Sequence, residues 1–512
     1  MKSHGLAYTR VEDALTSVSI EGPQLVGKPL SDPARVVQAD SGHSPMPLSQ
    51  EFVSGLAVIT DAVAVVLAAI AVQLAFLVTR GEAASVSIGM FCFASIGMGL
   101  TFRVAGLYRF PVLMRPARYL HRLIGYATAV AMGLVAAGFA AHVLDGFSRL
   151  WAGSWLVLGI VLIVGFRFTI ASLLRRLSIS GRIGRRILVY GAGEQAEKLI
   201  NRIVGMNEPW NRIVGVFDDR RTRVEDSVAG YPVVGGLAEL VRRAQLDSPD
   251  EVLIALPWGA EDRILEVLHE LAVLPCNVRL GPEFLRMDKV HGRTNSQFGF
   301  PALSAFEKPV GGWGRVWKRL FDFGLAACAI ILAAPILLLI AILIRLESPG
   351  PVLFRQRRYG FNNKLINVFK FRTMRSEVSD PLGIRLTERG DDRVTRIGAF
   401  LRRTSLDELP QLLNVLRSEM SLVGPRPHAI RTTAGGRQCD EVVDQYAIRH
   451  KVKPGITGWA QVNGWRGTME TEEHLIKRLE HDLYYINNWS PLFDIKILFL
   501  TVWSVLHGRN SY

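Results

Sequence analysis

The stretch Phe321-Asp-Phe-Gly-Leu-Ala-Ala-Cys-Ala-Ile-Ile-Leu-Ala-Ala-Pro-Ile-Leu-Leu-Leu-Ile-Ala-Ile-Leu-Ile344 is apolar almost throughout and carries one proline, Pro335, near its middle. As a helix it exceeds the ~20 residues needed to cross a hydrocarbon core. Lys318 and Arg319 stand before it, and Arg345, Arg355, Arg357 and Arg358 follow it. Segments rich in Lys and Arg stay on the cytoplasmic side, so a simple spanning helix would strand one cluster, and all the chain beyond it, outside the cell. A helix broken at Ala334-Pro335 could instead dip into the bilayer and return to the same face, because proline cannot continue the hydrogen-bond ladder. An ordinary kinked spanning helix is the competing reading, since membrane helices tolerate proline. The choice decides on which side of the membrane the rest of the chain folds.

Upstream, four further apolar segments run roughly from Ser54 to Val78, Val86 to Phe102, Leu120 to Leu144 and Trp151 to Leu174. Each approaches spanning length, the second being the shortest. Arg103, Arg109, Arg115, Arg118 and Arg122 crowd the connection between the second and third, and Arg175, Arg176, Arg182, Arg185 and Arg186 follow the fourth. The other two connections carry essentially Arg80 and Arg149, so residues 51–176 are expected as a four-helix transmembrane bundle with both ends at the cytoplasmic face. Residues 1–50 mix Ser, Pro, Gly and charge without periodicity and lack a signal-peptide pattern, which predicts a disordered cytoplasmic tail.

Composition agrees, since 49% hydrophobic residues is high for a soluble protein and 512 residues are too many for one domain. The net charge of +14 resides in arginines beside apolar segments, without zinc-finger spacing or an aromatic-interleaved basic strand. It points to membrane lipids and phosphorylated substrates, not to nucleic acid. Cys92, Cys276, Cys328 and Cys439 are scattered, a pattern that suggests neither a zinc site nor a disulfide framework.

Residues 183–290 read as a Rossmann-like α/β module. A buried-strand pattern from Arg186 runs into Gly191-x-Gly193-x-x-Ala196, and Ile213-Val-Gly-Val-Phe-Asp218-Asp219 ends in carboxylates where a dinucleotide fold keeps its ribose-binding acid. Gly191, Gly193 and Asp218 are thus candidate nucleotide-binding residues, and Glu251-Val-Leu-Ile-Ala-Leu256 supplies a third strand. Turn glycines kept only for packing explain the pattern as well, and no Tyr-x-x-x-Lys pair is present, so the module is expected to bind or regulate, not to transfer hydride. Residues 291–314, rich in Gly, Pro and Ser, are expected as a linker.

Beyond the opening stretch, Phe354-Arg-Gln-Arg-Arg-Tyr-Gly360 and Phe369-Lys-Phe-Arg-Thr-Met374 alternate cations with aromatics, and as a strand the second would line up Lys370 and Arg372 on one face. Basic surface against anionic lipid accounts for any one of these arginines. The adjacent carboxylates Asp407 and Glu408 sit in Arg402-Arg-Thr-Ser-Leu-Asp-Glu-Leu-Pro-Gln411. Ser405-x-x-Glu408 is a capping-box pattern, so the pair could simply complement a helix dipole. The same N–H groups and partial charge would also suit an incoming phosphoryl group, with one carboxylate attacking phosphorus and the other holding Mg²⁺.

From about Trp317 onward the chain resembles the polyprenyl-phosphate hexose-1-phosphate transferases, the bacterial sugar transferase family of monotopic phosphoglycosyl transferases. The resemblance rests on Lys318-Arg-Leu-Phe-Asp322, the proline-broken apolar run, Ser348-Pro-Gly-Pro351, Arg355-Gln356-Arg357, Lys370-Phe-Arg372, Arg402-Arg403 through Asp407-Glu408 to Gln411, Gly424-Pro425-Arg426-Pro427, Lys453-Pro-Gly-Ile-Thr-Gly-Trp459 and Asp482-Leu-Tyr-Tyr485, in that order. It implies an α/β phosphoglycosyl transferase domain over residues 315–512 with a re-entrant membrane helix at about 321–344, in a multi-pass protein of the bacterial inner membrane. The activity implied is transfer of a hexose 1-phosphate from a UDP-sugar to undecaprenyl phosphate, releasing UMP through a phospho-aspartyl intermediate. Asp407 would be the nucleophile and Glu408 the Mg²⁺ ligand. Substrate would be met by Arg402, Arg403, Arg355, Gln356, Lys370, Arg372, Pro425, Arg426, Pro427, Lys453, Asp482 and Tyr485, and Pro335 would break the membrane helix. One departure is Ala334, where the family's break commonly has Ser before Pro.

The run Gln461-Val-Asn-Gly-Trp-Arg-Gly467 through Glu470, Glu473, His474 and Arg478 to Asn488-Trp489 is similar to the glucose-transferring branch. Galactose and N-acetylhexosamine 1-phosphate are the alternatives. A non-catalytic nucleotide sensor or scaffold of polysaccharide export is the rival from another class, and a nucleotide-sugar epimerase is disfavoured by the missing Tyr-x-x-x-Lys pair. A homodimer is compatible with so much membrane surface, although no residue pattern demands it.

Overall fold

The computed structural model describes residues 50–80, 88–140, 149–179, 184–206, 208, 210–220, 226–281, 303–375, 391–429, 433–434, 437–443, 446–465, 467 and 471–506. The expectations for the N-terminal tail and for most of the 291–314 linker lie outside them.

Four helices, α1 (Gln50–Arg80), α2 (Ile88–Val104), α3 (Pro116–Ala140) and α4 (Arg149–Ile179), each touch the next, and α1 also touches α4. Ala57, Ala64 and Ala68 of α1 are fully buried, and small residues of this kind let helix backbones approach closely. Asp61 and Arg167 pair inside the group at 2.6 Å. Among the described residues, three helices are long and apolar enough to cross a membrane: α1 over Phe52–Thr79, α4 over Leu150–Ser178, and α8 (Gly312–Glu347). The second and third expected spans, α2 and α3, are not among them, and α2 is only 17 residues long.

A mixed seven-stranded sheet follows. It comprises β1 (Arg185–Tyr190), β2 (Asn211–Phe217), β3 (Ser227–Val228), β4 (Tyr231–Gly235), β5 (Glu251–Ile254), β6 (Asn277–Leu280) and β7 (Leu303–Phe306), in the order β3-β4-β2-β1-β5-β6-β7. The five central strands are parallel and the two edges antiparallel. Helices α5 (Glu194–Gly205), α6 (Leu237–Asp247) and α7 (Glu261–Leu271) lie between strands. Chain order reverses beside β1, the arrangement of a doubly wound sheet, so Ile187, Leu188 and Val189 are buried on both faces. Leu303–Phe306, within the expected linker, instead adds the edge strand β7.

The remaining domain is built on α8. This helix is continuous through Pro335, so the expected break at Ala334-Pro335 is not a gap in the helix. Its two ends are tied to the same domain. Near its start Lys318 reaches Asp494 (2.8 Å) and Val423 O (3.0 Å), and Asp322 accepts from Ser421 Oγ (2.7 Å) and Leu422 N (3.2 Å). At its end Ile340 and Ile344 pack in one core with Phe371 and Leu401. Between these ends Ile331 and Leu332 are exposed. The hairpin β8 (Leu353–Tyr359) and β9 (Leu365–Phe371), helices α9 (Arg396–Thr404) and α10 (Gln411–Leu416), the parallel pair β10 (Ser421–Val423) and β11 (Gly455–Thr457), and helices α11 (Glu472–Asn487) and α12 (Pro491–Leu506) complete it.

Candidate active site

The acid pair lies between two helices, not at the start of one. Thr395 caps α9, its Oγ1 accepting from Gly398 N at 3.0 Å, and α9 ends at Ser405 with φ +58°. Leu406–Glu408 then form a single 3-10 turn before α10, and the Ser405 side chain makes no capping hydrogen bond there. The expected capping box is therefore absent, and Ser405 instead closes the preceding helix in the left-handed conformation. Close packing fixes this turn. A Cβ at Gly398 would lie 2.1 Å from Thr373 O, so glycine lets α9 sit against the end of β9, where Arg402 Nε donates to Thr373 Oγ1 at 2.8 Å. On the other side, fully buried Asn414 of α10 accepts from Phe369 N (3.0 Å) and donates to Asn367 O (2.7 Å), which locks α10 to β9.

That lock sets Lys370 against Glu408. Glu408 Oε1 accepts from Lys370 Nζ at 2.8 Å and from Arg426 Nη2 at 2.5 Å, and Oε2 accepts from Arg426 Nη1 at 3.0 Å. Burial alone would raise the Glu408 carboxyl, but the Arg426 guanidinium and Lys370 ammonium outweigh it and hold it well below the usual range. Asp407, 9% exposed, is moved the other way: burial raises it, Lys370 opposes, and the neighbouring Glu408 charge adds to the rise. Two adjacent carboxylates are thus driven apart, one a fixed anion and the other a buried group that gives up its proton less readily.

The register of the hairpin sorts its cations. Lys370 stands opposite Phe354, so it shares a face with Gln356 and Arg358, while Arg355 pairs with Phe369 on the other face. Arg355 is exposed and stacks over the Phe369 ring at 5.6 Å, away from the acid pair. Gln356 Oε1 instead accepts from Arg358, whose Nη1 donates to Pro427 O at 2.5 Å. Burial, then Arg426, pushes Arg358 down to about 10. Arg358 therefore takes the place beside the site expected for Arg355, and the period of two along Phe354–Arg358 was the available signal.

Several other expected contacts are structural. Arg372 turns from Lys370 and donates to Ser348 O (2.6 Å) and Pro349 O (2.7 Å), closing the end of α8. Arg403 is exposed on α9. Lys453 donates to Ser418 Oγ at 2.5 Å and is pushed down to about 8 by burial and then Arg319, on the α8 side of the domain. Tyr485 OH donates to Val423 O (3.0 Å) and Asp494 Oδ1 (2.8 Å), bracing the strand that leads into Gly424-Pro425-Arg426-Pro427. Asp482 is buried and pairs with Arg449 at 2.7 Å. Arg449 donates to Arg426 O at 2.7 Å and bonds His428 and Tyr446, so Asp482 acts on the loop through Arg449. His428 is held well below its usual range by burial and then by Arg449, and is neutral.

In the parallel sheet, Gly191 has φ +110° and a Cβ there would meet Ala255 O at 2.5 Å, so this turn requires glycine. Gly193 precedes α5, whose first residue is Glu194. Asp218 accepts from Ala192 N at 2.9 Å, and Arg220 folds back onto both its oxygens at 3.1 and 3.0 Å. The expected ribose acid is already engaged by its own chain.

For Mg²⁺ the donor set fits. Glu408 Oε2 takes one donor and keeps a lone pair, Asp407 lies beside it, and this cation commonly takes one or two carboxylates and completes its shell from phosphate and water. Among the described residues no group of three or more ligating side chains gathers.

With this geometry in hand, the sequence comparisons become specific. The family described as bacterial sugar transferase matches residues 313–508, and a CoA-binding domain family matches residues 103–282. The chain is 41% identical over 360 residues to an undecaprenyl-phosphate glucose phosphotransferase of Komagataeibacter xylinus, covering 70% of this chain and 66% of the relative. It is 43% identical over 308 residues to a UDP-glucose:undecaprenyl-phosphate glucose-1-phosphate transferase of Escherichia coli (strain K12), covering 60% and 65%. A protein with the latter name from Xanthomonas campestris pv. campestris is 37% identical over 401 residues, covering 75% and 80%. The chain thus spans just under two thirds of the first two relatives and four fifths of the third. It belongs to the bacterial sugar transferase family.

Proposed function

We propose that the protein transfers glucose 1-phosphate from UDP-glucose to undecaprenyl phosphate, releasing UMP, as the first membrane step of an exopolysaccharide or capsule pathway. The observation that carries this reading is the buried Asp407 beside a Glu408 held by Lys370 and Arg426, in a family whose relatives bear glucose-1-phosphate transferase names.

In the first half-reaction an Asp407 carboxylate oxygen attacks the phosphorus bearing the sugar. The P–O bond to the UMP phosphate breaks, and its electron pair leaves with UMP. A phosphate oxygen of undecaprenyl phosphate then attacks the same phosphorus, the aspartyl P–O bond breaks, and the carboxylate is regenerated. Burial strips water from Asp407, while Lys370, Arg402 and Arg426 supply fixed positive charge where phosphate oxygens gather. Glu408 orients Lys370 and Arg426 and, with Asp407, would hold Mg²⁺. That ion would neutralise charge on the phosphate oxygens.

The topology that suits this chemistry has α1–α4 crossing a bacterial inner membrane and α8 entering and returning on the cytoplasmic face. Attachment of both ends of α8 to one domain, with exposed apolar residues between, supports re-entry. Anionic lipids would lie against the flanking arginines. A second copy would pair through the membrane surface. The parallel sheet is read as a binding or regulatory module.

The test is to incubate membranes carrying the protein with undecaprenyl phosphate, Mg²⁺ and a panel of UDP-sugars, and to measure UMP and lipid-linked sugar phosphate. UDP-glucose should give the highest rate. No UMP from any donor would sink the proposal.

A further inference from the structure

Behind the Pro425-Arg426-Pro427 loop, the buried charge is not balanced. Arg478 of α11 is 3% exposed, and its Nε and Nη2 have no hydrogen-bond partner among the described residues. Only Nη1 is engaged, at a long 3.4 Å to Gly467 O. Asp482, one helical turn further along the same face, is taken by Arg449 at 2.7 Å. Arg449 and Arg426 are the cationic neighbours of Arg478, and Arg478 is in turn a neighbour of Arg358. Burial, followed by Arg449, pushes the Arg478 guanidinium down to about 10, yet it remains a cation at neutral pH. Asp482 is the anionic neighbour of Arg478, but it faces Arg449 as well, and cations outnumber it there. A buried guanidinium with two unpartnered nitrogens is costly unless an anion completes it, and its planar fork matches phosphate oxygens.

The hairpin shows which phosphate can arrive there. Lys370 lies opposite Phe354, at the end of β8–β9 tied to α8 through Arg372. Arg358 lies four residues further along β8, roughly 13 Å toward the tip at ~3.4 Å per residue. His450, adjacent to Arg449, contacts that tip through Asn363 and Tyr359. The Arg358–Arg478 group therefore lies on the side of the acid pair away from the end of α8, so a lipid phosphate held beside that helix would meet the acid pair first, and the nucleotide phosphate is the one this group can serve.

We propose that Arg478 is a nucleotide-binding residue whose Nε and Nη2 edge receives the phosphate of the departing UMP beside Arg358 and Arg426. The assignment rests on the transferase reading above. It gives Arg478, which stands in the run from Gln461 to Trp489 without a role of its own, a contact to substrate in addition to those that the resemblance implies.

The test uses the full-length protein in detergent with three substitutions, Arg478→Met, Arg478→Lys and Asp407→Asn. UMP affinity is measured by titration calorimetry, KM is measured separately for UDP-glucose and undecaprenyl phosphate, and thermal unfolding is followed without ligand. Arg478→Met should weaken UMP binding roughly 10- to 100-fold, the usual value of hydrogen bonds to a charged group. It should raise KM for UDP-glucose and leave that for undecaprenyl phosphate within about twofold. Arg478→Lys, which keeps the charge and loses the fork, should fall between, with an unchanged unfolding midpoint, and remains informative if the Met variant does not fold. Asp407→Asn should abolish turnover, which separates loss of the chemical step from the loss of nucleotide affinity expected of the Arg478 variants. Unaltered UMP affinity in either folded Arg478 variant, or a change confined to the KM for undecaprenyl phosphate, would overturn the assignment while leaving the transferase reading intact. Absence of UMP binding and turnover in the unsubstituted protein would overturn both.

Discussion

At the scale of single residues, Asp407 and Glu408 differ because of what each touches. Glu408 is held between two cations, Lys370 and Arg426, whereas Asp407 is buried beside that anion and its proton affinity is raised. A nucleophile must be deprotonated, so the rate should rise with pH through the raised Asp407 value and then level off. Glu408→Gln removes the like charge, so the midpoint of that rise should move to lower pH even as turnover falls; a pH profile of initial rates in both proteins checks this. Asp407→Asn should cost at least about a thousandfold in turnover, as loss of a nucleophile commonly does. It should not destabilise the fold. An acid whose folded value is raised contributes stability that is lost as pH rises through that value, so a neutral amide should leave the thermal midpoint at pH 7 unchanged or higher. Asp407, Glu408, Lys370 and Arg426 were legible in the sequence because each stands in a dense phosphate-type motif. Arg355, Arg372, Lys453 and Asp482 have their partners elsewhere, at Phe369, Ser348, Ser418 and Arg449, since a motif gives residue types and order but not which side of a strand or loop each side chain takes. Arg358 and Asn414 were missed: one needed the hairpin register, the other a partner about fifty residues away in sequence.

At the scale of elements, the β8–β9 hairpin links the sheet to the site. At its tip Asn362, with φ +56°, donates through Nδ2 to Ala244 O (3.2 Å), Gln245 O (3.0 Å) and Ser248 Oγ (3.2 Å), and Lys364 donates to Leu246 O at 3.1 Å. Of these acceptors Ala244 O already takes Ser248 N, whereas Gln245 O and Leu246 O are carbonyls at the C-terminus of α6 that gain donors here, and Lys364 places positive charge at its negative end. Asn362→Ala should cost about 1–3 kcal/mol, read as a lower thermal midpoint, because buried carbonyls lose their donors. No sequence signal foretold this contact, since it joins two modules that the chain separates by over a hundred residues. Helix α8 was legible as an apolar run, and its continuity through Pro335 was not. Straight, its 36 residues would extend about 54 Å, well beyond a ~30 Å hydrocarbon core. Single cysteines at Gly311 and Pro349, in a background without other cysteines, should both react with a membrane-impermeant thiol reagent only from the cytoplasmic side. Labelling of the two from opposite sides would mean that α8 spans.

At the scale of the whole molecule, strands β1, β2 and β5 were readable as buried apolar runs, whereas β4, β6 and the edge strand β7 carry weaker patterns and emerged only in the sheet order. The site lies between α8 and the hairpin tip facing the parallel sheet, which on the proposed function would be the routes of a lipid phosphate and of a nucleotide. Asp407 alone would have to hold the phosphoryl group between these arrivals. The most direct measurement is therefore to mix the purified full-length protein with UDP-glucose labelled at the phosphorus bearing the sugar, omitting undecaprenyl phosphate, and to locate the label by peptide mapping. Label on the peptide carrying Asp407, released as lipid product when undecaprenyl phosphate is added and absent in Asp407→Asn, is the expected result. Turnover without any labelled protein, or label retained in Asp407→Asn, would contradict the phospho-aspartyl mechanism.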